Sequence, residues 1–226
     1  MTRLIEIITG TKALLLDFDG PVCSVFAGYA AELVAKDLRD FLSREGVTFP
    51  ADIAASRDPL RVLRWVGDTH PGITQLADDV LTAAERRAVA TAEPTEGSHE
   101  VIHTAARTGR QVVIVSNNSQ AAITTYLEHH QLAPHVRLVV GRAYAQPALM
   151  KPHTHSVARA LDALSVNAST SVLVGDSPTD MKAARAMHVR PIGYAKDAER
   201  VRSLHEAQAD LVIESMETLA KALAAA

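Results

Sequence analysis

Short unbroken apolar runs recur through the second half of this chain, separated by longer stretches in which apolar residues return every three or four positions. The runs at 112–115, 138–140, 172–174, 191–194 and 211–213 are rich in valine and isoleucine, and 13–16 forms another near the start. A strand sends alternate side chains to opposite faces, so an unbroken apolar run marks a strand covered on both sides, as in a parallel sheet. The stretches between the runs, about 98–108, 119–130, 153–164, 179–187, 198–206 and 216–224, carry helical spacing, and many open on Ser, Thr, Asn, Asp or Pro. Alternating strands and helices of this kind predict an α/β sheet.

From about 22 to 93 the rhythm changes. Ala30, Leu33, Val34, Leu38, Phe41 and Leu42 recur at helical spacing, Leu60, Leu63, Trp65 and Val66 suggest a second helix, and 76–92 reads as a third. No strand is read there. The pattern therefore predicts a sheet core of 1–21 and 94–226, with a helical cap of 22–93 inserted after the first strand. The chain crosses between the two at 21–28 and 93–97, and two crossings predict a lid able to move.

Composition narrows the classes. A hydrophobic content of 47% in 226 residues supplies a substantial core, and a formal charge of −3 offers no basic field for nucleic acid or an anionic membrane. One cysteine, Cys23, excludes an internal disulfide and a multi-cysteine zinc site, and no apolar run is long enough for a signal core or a membrane span. A soluble cytoplasmic protein acting on small molecules is expected.

Ligands of open parallel sheets bind beyond the carboxyl ends of the strands, and four such ends here are unusually polar. Asp17-Phe18-Asp19-Gly20 puts two carboxylates two residues apart, which calls for a cation or a shared proton unless it is only a polar turn. Ser116-Asn117-Asn118-Ser119 reads as an anion-binding turn or as a helix cap. Lys151 precedes Pro152, and places either an ammonium at the same sheet edge or an ordinary surface charge. In Gly175-Asp176-Ser177-Pro178-Thr179-Asp180, Ser177, Pro178 and Asp180 suit a helix start, which leaves Asp176 unexplained. Carboxylates with open positions for water and substrate phosphate are what magnesium prefers.

The order DFDGP, VSNNS, MKP, VGDSPTD resembles the four motifs of the haloacid dehalogenase superfamily, in the subgroup with a helical cap after the first motif, of phosphoglycolate phosphatase type. The resemblance spans essentially the whole chain. It implies a Rossmann-like parallel sheet core with helices on both faces plus a small α-helical cap domain. By the same resemblance Asp17 is the nucleophile that forms an aspartyl-phosphate, and Asp19 is the general acid and base. Ser116, the Asn117 backbone and Lys151 bind the phosphoryl group. Magnesium is held by Asp17, the Asp19 carbonyl and Asp176, with Asp180 directly or through water. The implied activity is a magnesium-dependent phosphatase acting on a small phosphomonoester. A phosphomutase, or a catalytically idle phosphate-binding relative, stands as the alternative. Dehalogenation does not require the second aspartate kept here, and lysine-imine chemistry is disfavoured because Lys36 is the insert's one lysine.

Weaker signals remain. Arg57, Arg61 and Arg64 form a basic stripe in the cap, read either as substrate contacts or as a solvated face. Arg142 and Tyr144 follow a strand end without a motif, Cys23 reads as a packed thiol, and His153 and His155 as solvated.

Overall fold

A computed structural model describes all residues, 1–226. In chain order the first elements are α1 (Thr2–Ile8), β1 (Ala13–Leu16) and β2 (Cys23–Ser24). There follow α2 (Ala31–Arg44), α3 (Ala51–Ala54), α4 (Pro59–Thr69), α5 (Thr74–Ala88) and β3 (Glu93–Pro94). The remainder alternates: α6 (Ser98–Arg107), β4 (Gln111–Val115), α7 (Gln120–His129), β5 (Leu138–Val140), α8 (His155–Leu164), β6 (Ser171–Gly175), α9 (Pro178–Ala186), β7 (Arg190–Tyr194), α10 (Ala198–Glu206), β8 (Leu211–Ile213) and α11 (Met216–Ala225).

Six strands make one parallel sheet in the order β5-β4-β1-β6-β7-β8. Leu14 and Leu16 of β1 face a layer that includes Ile8, Ile102, Tyr126 and Leu219, while Ala13 and Leu15 face one that includes Val157, Leu161 and Met181. Both faces of β1 are thus filled, which is why its four residues are apolar without alternation. Leu16 is level with Ile114 of β4 and with Val174 of β6, so the residues that follow these three neighbouring strands emerge at one edge.

The region between β1 and β4 is helical as predicted and has its own apolar cluster, built from Val34, Leu38 and Leu42 of α2, Val62, Leu63 and Val66 of α4, and Ala77, Leu81 and Ala84 of α5. Two differences from the sequence reading stand out. The stretch read as strandless begins with β2, which pairs antiparallel with β3 at the far crossing, Cys23 opposite Pro94 and Ser24 opposite Glu93. Two-residue strands carry no periodicity, and this pairing depends on contacts about seventy residues apart. The N-terminal helix α1 also escaped the reading, although Leu4, Ile7 and Ile8 sit at helical spacing and are all buried. No helix of the chain is long and apolar enough to cross a membrane.

Candidate active site

The edge where β1, β4 and β6 end opens into a cavity of about 490 Å³, lined by Asp17, Asp19, Ser116, Asn117, Lys151 and Asp176 among others. Each side chain arrives there for a local reason. Asp17 continues β1, its N–H donating to Val174 O at 2.9 Å. Phe18 turns the other way into the core, where its ring meets Tyr126 edge-on at 5.2 Å between centroids. One buried aromatic between two acids anchors the loop and so fixes both carboxylates. Gly20, at φ +104°, lets the chain turn beside Asp176; a Cβ there would lie 2.6 Å from Asp176 Cγ. Asp19 accepts the Val25 N–H at 3.0 Å, and its carbonyl accepts no hydrogen bond from the protein.

Lys151 is 2% exposed and sits at the centre of the charges. Its Nζ lies 2.8 Å from Asp17 Oδ1 and 2.5 Å from Asp180 Oδ1, and donates to Val115 O at 2.9 Å. Its main chain is held as well: Lys151 N donates to Asn117 Oδ1 at 2.8 Å, and Arg64 Nη2 donates to Lys151 O at 2.7 Å. Asp180 does two jobs. Its Oδ2 completes a capping box with Ser177 at the start of α9, and its Oδ1 faces Lys151. Asp17 Oδ1 accepts from the Phe18 N–H at 2.8 Å, whereas Asp17 Oδ2 accepts from no protein donor.

Burial governs the electrostatics. It pushes Asp17 up to about 7, with Asp180 and Asp176 adding to the rise and Lys151 opposing it. Burial likewise raises Asp176 to about 7, helped by Asp180. Asp19 rises to about 6, again first through burial, with the Val25 N–H opposing. For Lys151, burial alone would lower the value, but Asp17 and Asp180 outweigh it and hold the ammonium above the ordinary lysine range.

Lys151 is thus shared by Asp17 and Asp180, Asp19 and Asp176 feel Lys196 and Arg200 only at longer range, and oxygens of Asp17, Asp176 and Asp180 lie within 4.8 Å of one another. Asp180 Oδ1 is buried, and Lys151 Nζ at 2.5 Å is the one protein cation it meets. An all-oxygen donor set with surplus negative charge, in which Asp17 Oδ2 meets no protein donor, fits a hard divalent cation.

The cap arginines separate. Arg64 is half-buried and lines the cavity; Arg57 also lines it but is exposed and paired with Glu32 at 2.9 Å. Arg61 pairs with Asp52 at 2.8 Å on the outer surface and is not among the lining residues. His153 is exposed, with Nδ1 accepting the His155 N–H, and Cys23 is buried. Arg142, read as a cleft candidate, is buried behind the cavity instead, tied to Asp78 and Glu85 of α5.

A profile of the haloacid dehalogenase-like hydrolases matches residues 62–194, more than half of the chain. The chain belongs to this family. The matched span contains Ser116, Lys151, Asp176 and Asp180, while Asp17 and Asp19 precede it. The phosphoglycolate phosphatase of Caulobacter vibrioides is 28% identical over 194 residues, 84% of this chain and 73% of that one. Among solved structures, CbbY from Rhodobacter sphaeroides, in complex with phosphate, matches with a TM-score of 0.70 at 20% identity, over 92% of this chain and 96% of that one. A HAD family hydrolase from Deinococcus radiodurans R1, with bound phosphate and sodium, matches with a TM-score of 0.63 at 21% identity, over 96% of each. At such identities the two structures speak for the fold of this hydrolase and no further.

Proposed function

We propose that this hydrolase is a magnesium-dependent phosphatase acting on a small phosphomonoester whose leaving group carries a carboxylate, of the phosphoglycolate class. The observation that carries the reading is the convergence of Asp17, Asp19, Lys151, Asp176 and Asp180 on one cleft with a surplus of buried negative charge. The Caulobacter relative's name supports the substrate class, as does Arg64, a guanidinium on the cap side of the same cleft.

In this reading Asp17 attacks phosphorus through Oδ2, the oxygen that no protein donor engages, while Lys151 and the Phe18 N–H hold Oδ1. As the bond to the leaving oxygen breaks, Asp19 gives that oxygen its proton, a task suited to a carboxyl raised to about 6. Water then attacks phosphorus, Asp19 takes its proton, and the Asp17–phosphorus bond breaks to release inorganic phosphate. The Ser116 hydroxyl and the Asn117 N–H, which has no protein acceptor, receive the phosphoryl oxygens at the end of β4. Asp17, Asp176 and the Asp19 carbonyl, with Asp180 directly or through water, would hold magnesium, which would supply positive charge against the phosphate dianion.

The test is release of phosphate from p-nitrophenyl phosphate and from a panel of carboxylated and neutral phosphomonoesters, with magnesium and with chelator. Metal-dependent turnover lost in Asp17→Asn is expected. Equal rates for Asp17→Asn and parent would overturn the nucleophile, and a preference for neutral esters would overturn the substrate class.

A further inference from the structure

A buried cluster of three charged side chains lies directly behind the phosphate loop. The Arg142 side chain is 1% exposed and sits between Asp78 at 2% and Glu85 at 0%. Its Nε and Nη2 donate to Asp78 Oδ1 at 2.9 and 2.6 Å, and its Nη1 donates to Glu85 Oε1 at 2.9 Å. The same Nη1 donates to Asn117 O at 2.9 Å, and the Arg142 backbone N–H donates to Asn118 O at 2.8 Å. Glu85 takes hold of the loop from the other side, accepting from Asn118 Nδ2 at 3.2 Å and from the Ser119 N–H at 2.9 Å.

We propose that Arg142 and Glu85 form a clamp that sets the conformation of the Ser116–Ser119 loop, and that they are positioning residues for the phosphoryl site. The proposal rests on the phosphatase reading for its functional meaning. Its argument is an accounting of the loop's own polar groups. The Ser116 N–H donates to Val140 O, the Asn118 N–H to Ser116 Oγ and the Ser119 N–H to Glu85. The carbonyls of Asn117 and Asn118 are both turned back to Arg142. Of the four N–H groups, that of Asn117 alone lacks a protein acceptor, and Asn117 lines the cleft. Drawing the neighbouring groups backward is what leaves this one free for an anion.

Stability does not account for the arrangement. A buried ion triad is often no more stabilising than apolar side chains of similar volume, because desolvation offsets the attraction. What an apolar trio cannot provide is direction: a rigid guanidinium fork bonding two acids and a loop carbonyl at once. Glu85 also lies where the first turn of α7 begins, with Ser119 as N-cap, a place that favours negative charge. Since Glu85 belongs to α5, the inserted helical region takes part in shaping the phosphate loop.

The test uses the full-length protein with magnesium, inorganic phosphate as the probe, and amide hydrogen exchange as a readout independent of turnover. Arg142→Lys keeps the charge but loses the fork. It is expected to weaken inhibition by phosphate about tenfold, to lower kcat by about tenfold to a hundredfold, and to speed exchange at Asn118 and Ser119. Asp78→Asn removes a charge of the same buried triad but keeps the Oδ1 acceptor for Nε and Nη2, and so leaves the fork's direction in place; it lowers the unfolding midpoint and leaves phosphate inhibition unchanged. Parent-like phosphate inhibition and loop exchange in Arg142→Lys, or equal loss of phosphate inhibition in Asp78→Asn, would overturn the clamp. Should neither variant fold, exchange in the unaltered protein decides: slow exchange at Ser119 supports the clamp, and exchange as fast as a surface loop overturns it. If the parent lacks metal-dependent turnover the phosphatase reading fails, while calorimetric phosphate binding and the exchange result still decide the clamp.

Discussion

Replacing Asp176 by Asn separates the charge problem of the site from its chemistry. Without a cation, Asp176 is pushed from 3.8 to about 7, first by burial and then by the charge of Asp180. The folded state therefore keeps a proton that the unfolded chain releases, so this group lowers stability progressively as pH rises from 3.8 towards 7, with full effect above about 7. A shift of that size corresponds to about 4 kcal/mol, and because Asp176 is only half-buried, solvent screening reduces this to about 2 kcal/mol. In chelator, Asp176→Asn is thus expected to be more stable than the parent by about 2 kcal/mol near pH 7.5, an advantage that fades near pH 4. His99 and His130, both held below the ordinary histidine value chiefly by burial, act with the opposite sign, since they contribute stability that is lost as pH falls. They are common to both proteins and cancel in the difference. The assay is urea denaturation of each protein at both pH values, with and without magnesium. Magnesium should raise the parent's midpoint and leave the variant's nearly unmoved. A metal-free variant no more stable than the parent near pH 7.5 would refute the reasoning.

Other substitutions test neighbouring links. Lys151→Met leaves Asp17 and Asp180 without their shared ammonium, so kcat should fall by about a hundredfold to a thousandfold, and the unfolding midpoint should drop most at neutral pH. Asp19→Asn should slow single-turnover release of an alkyl leaving group by about a hundredfold or more while sparing the first-turnover burst of p-nitrophenol, whose leaving oxygen needs little protonation; equal losses in that first step would count against the acid role. Gly20→Ala places a Cβ against the Asp176 carboxylate at a positive φ, and a calorimetric titration should find weakened magnesium affinity together with a stability loss of about 1 kcal/mol or more.

Much of this architecture can be read from residues alone, for a physical reason. Runs such as Leu14-Leu15-Leu16 and Val172-Leu173-Val174 are apolar because both faces of their strands are covered, and the polar residues after them mark the edge where ligands meet the sheet. Asp17, Ser116 and Asp176 follow β1, β4 and β6 directly, so the place of the cleft follows from strand boundaries; Lys151, read as standing at a strand end, lies instead in the long segment between β5 and α8 and reaches the cleft by its side chain. Arg142 follows the end of β5, but nothing tied it to Glu85, 57 positions away with no spacing to connect them. A signal was nevertheless present. Asp78 and Glu85 fall on the same face of α5 as Leu81, Ala84 and Ala88, and an acid on an apolar helical face needs a buried partner. The ribbon of β2 and β3 left no trace because two residues are too few for a pattern.

β1 lies inside the sheet, with β4 hydrogen-bonded along one side and β6 along the other. Fraying begins at the margins, at β5 and β8, and reaches the interior only when the whole body opens. Asp17, the proposed nucleophile, thus hangs from the segment that heat releases last, and thermal inactivation should coincide with global melting rather than precede it.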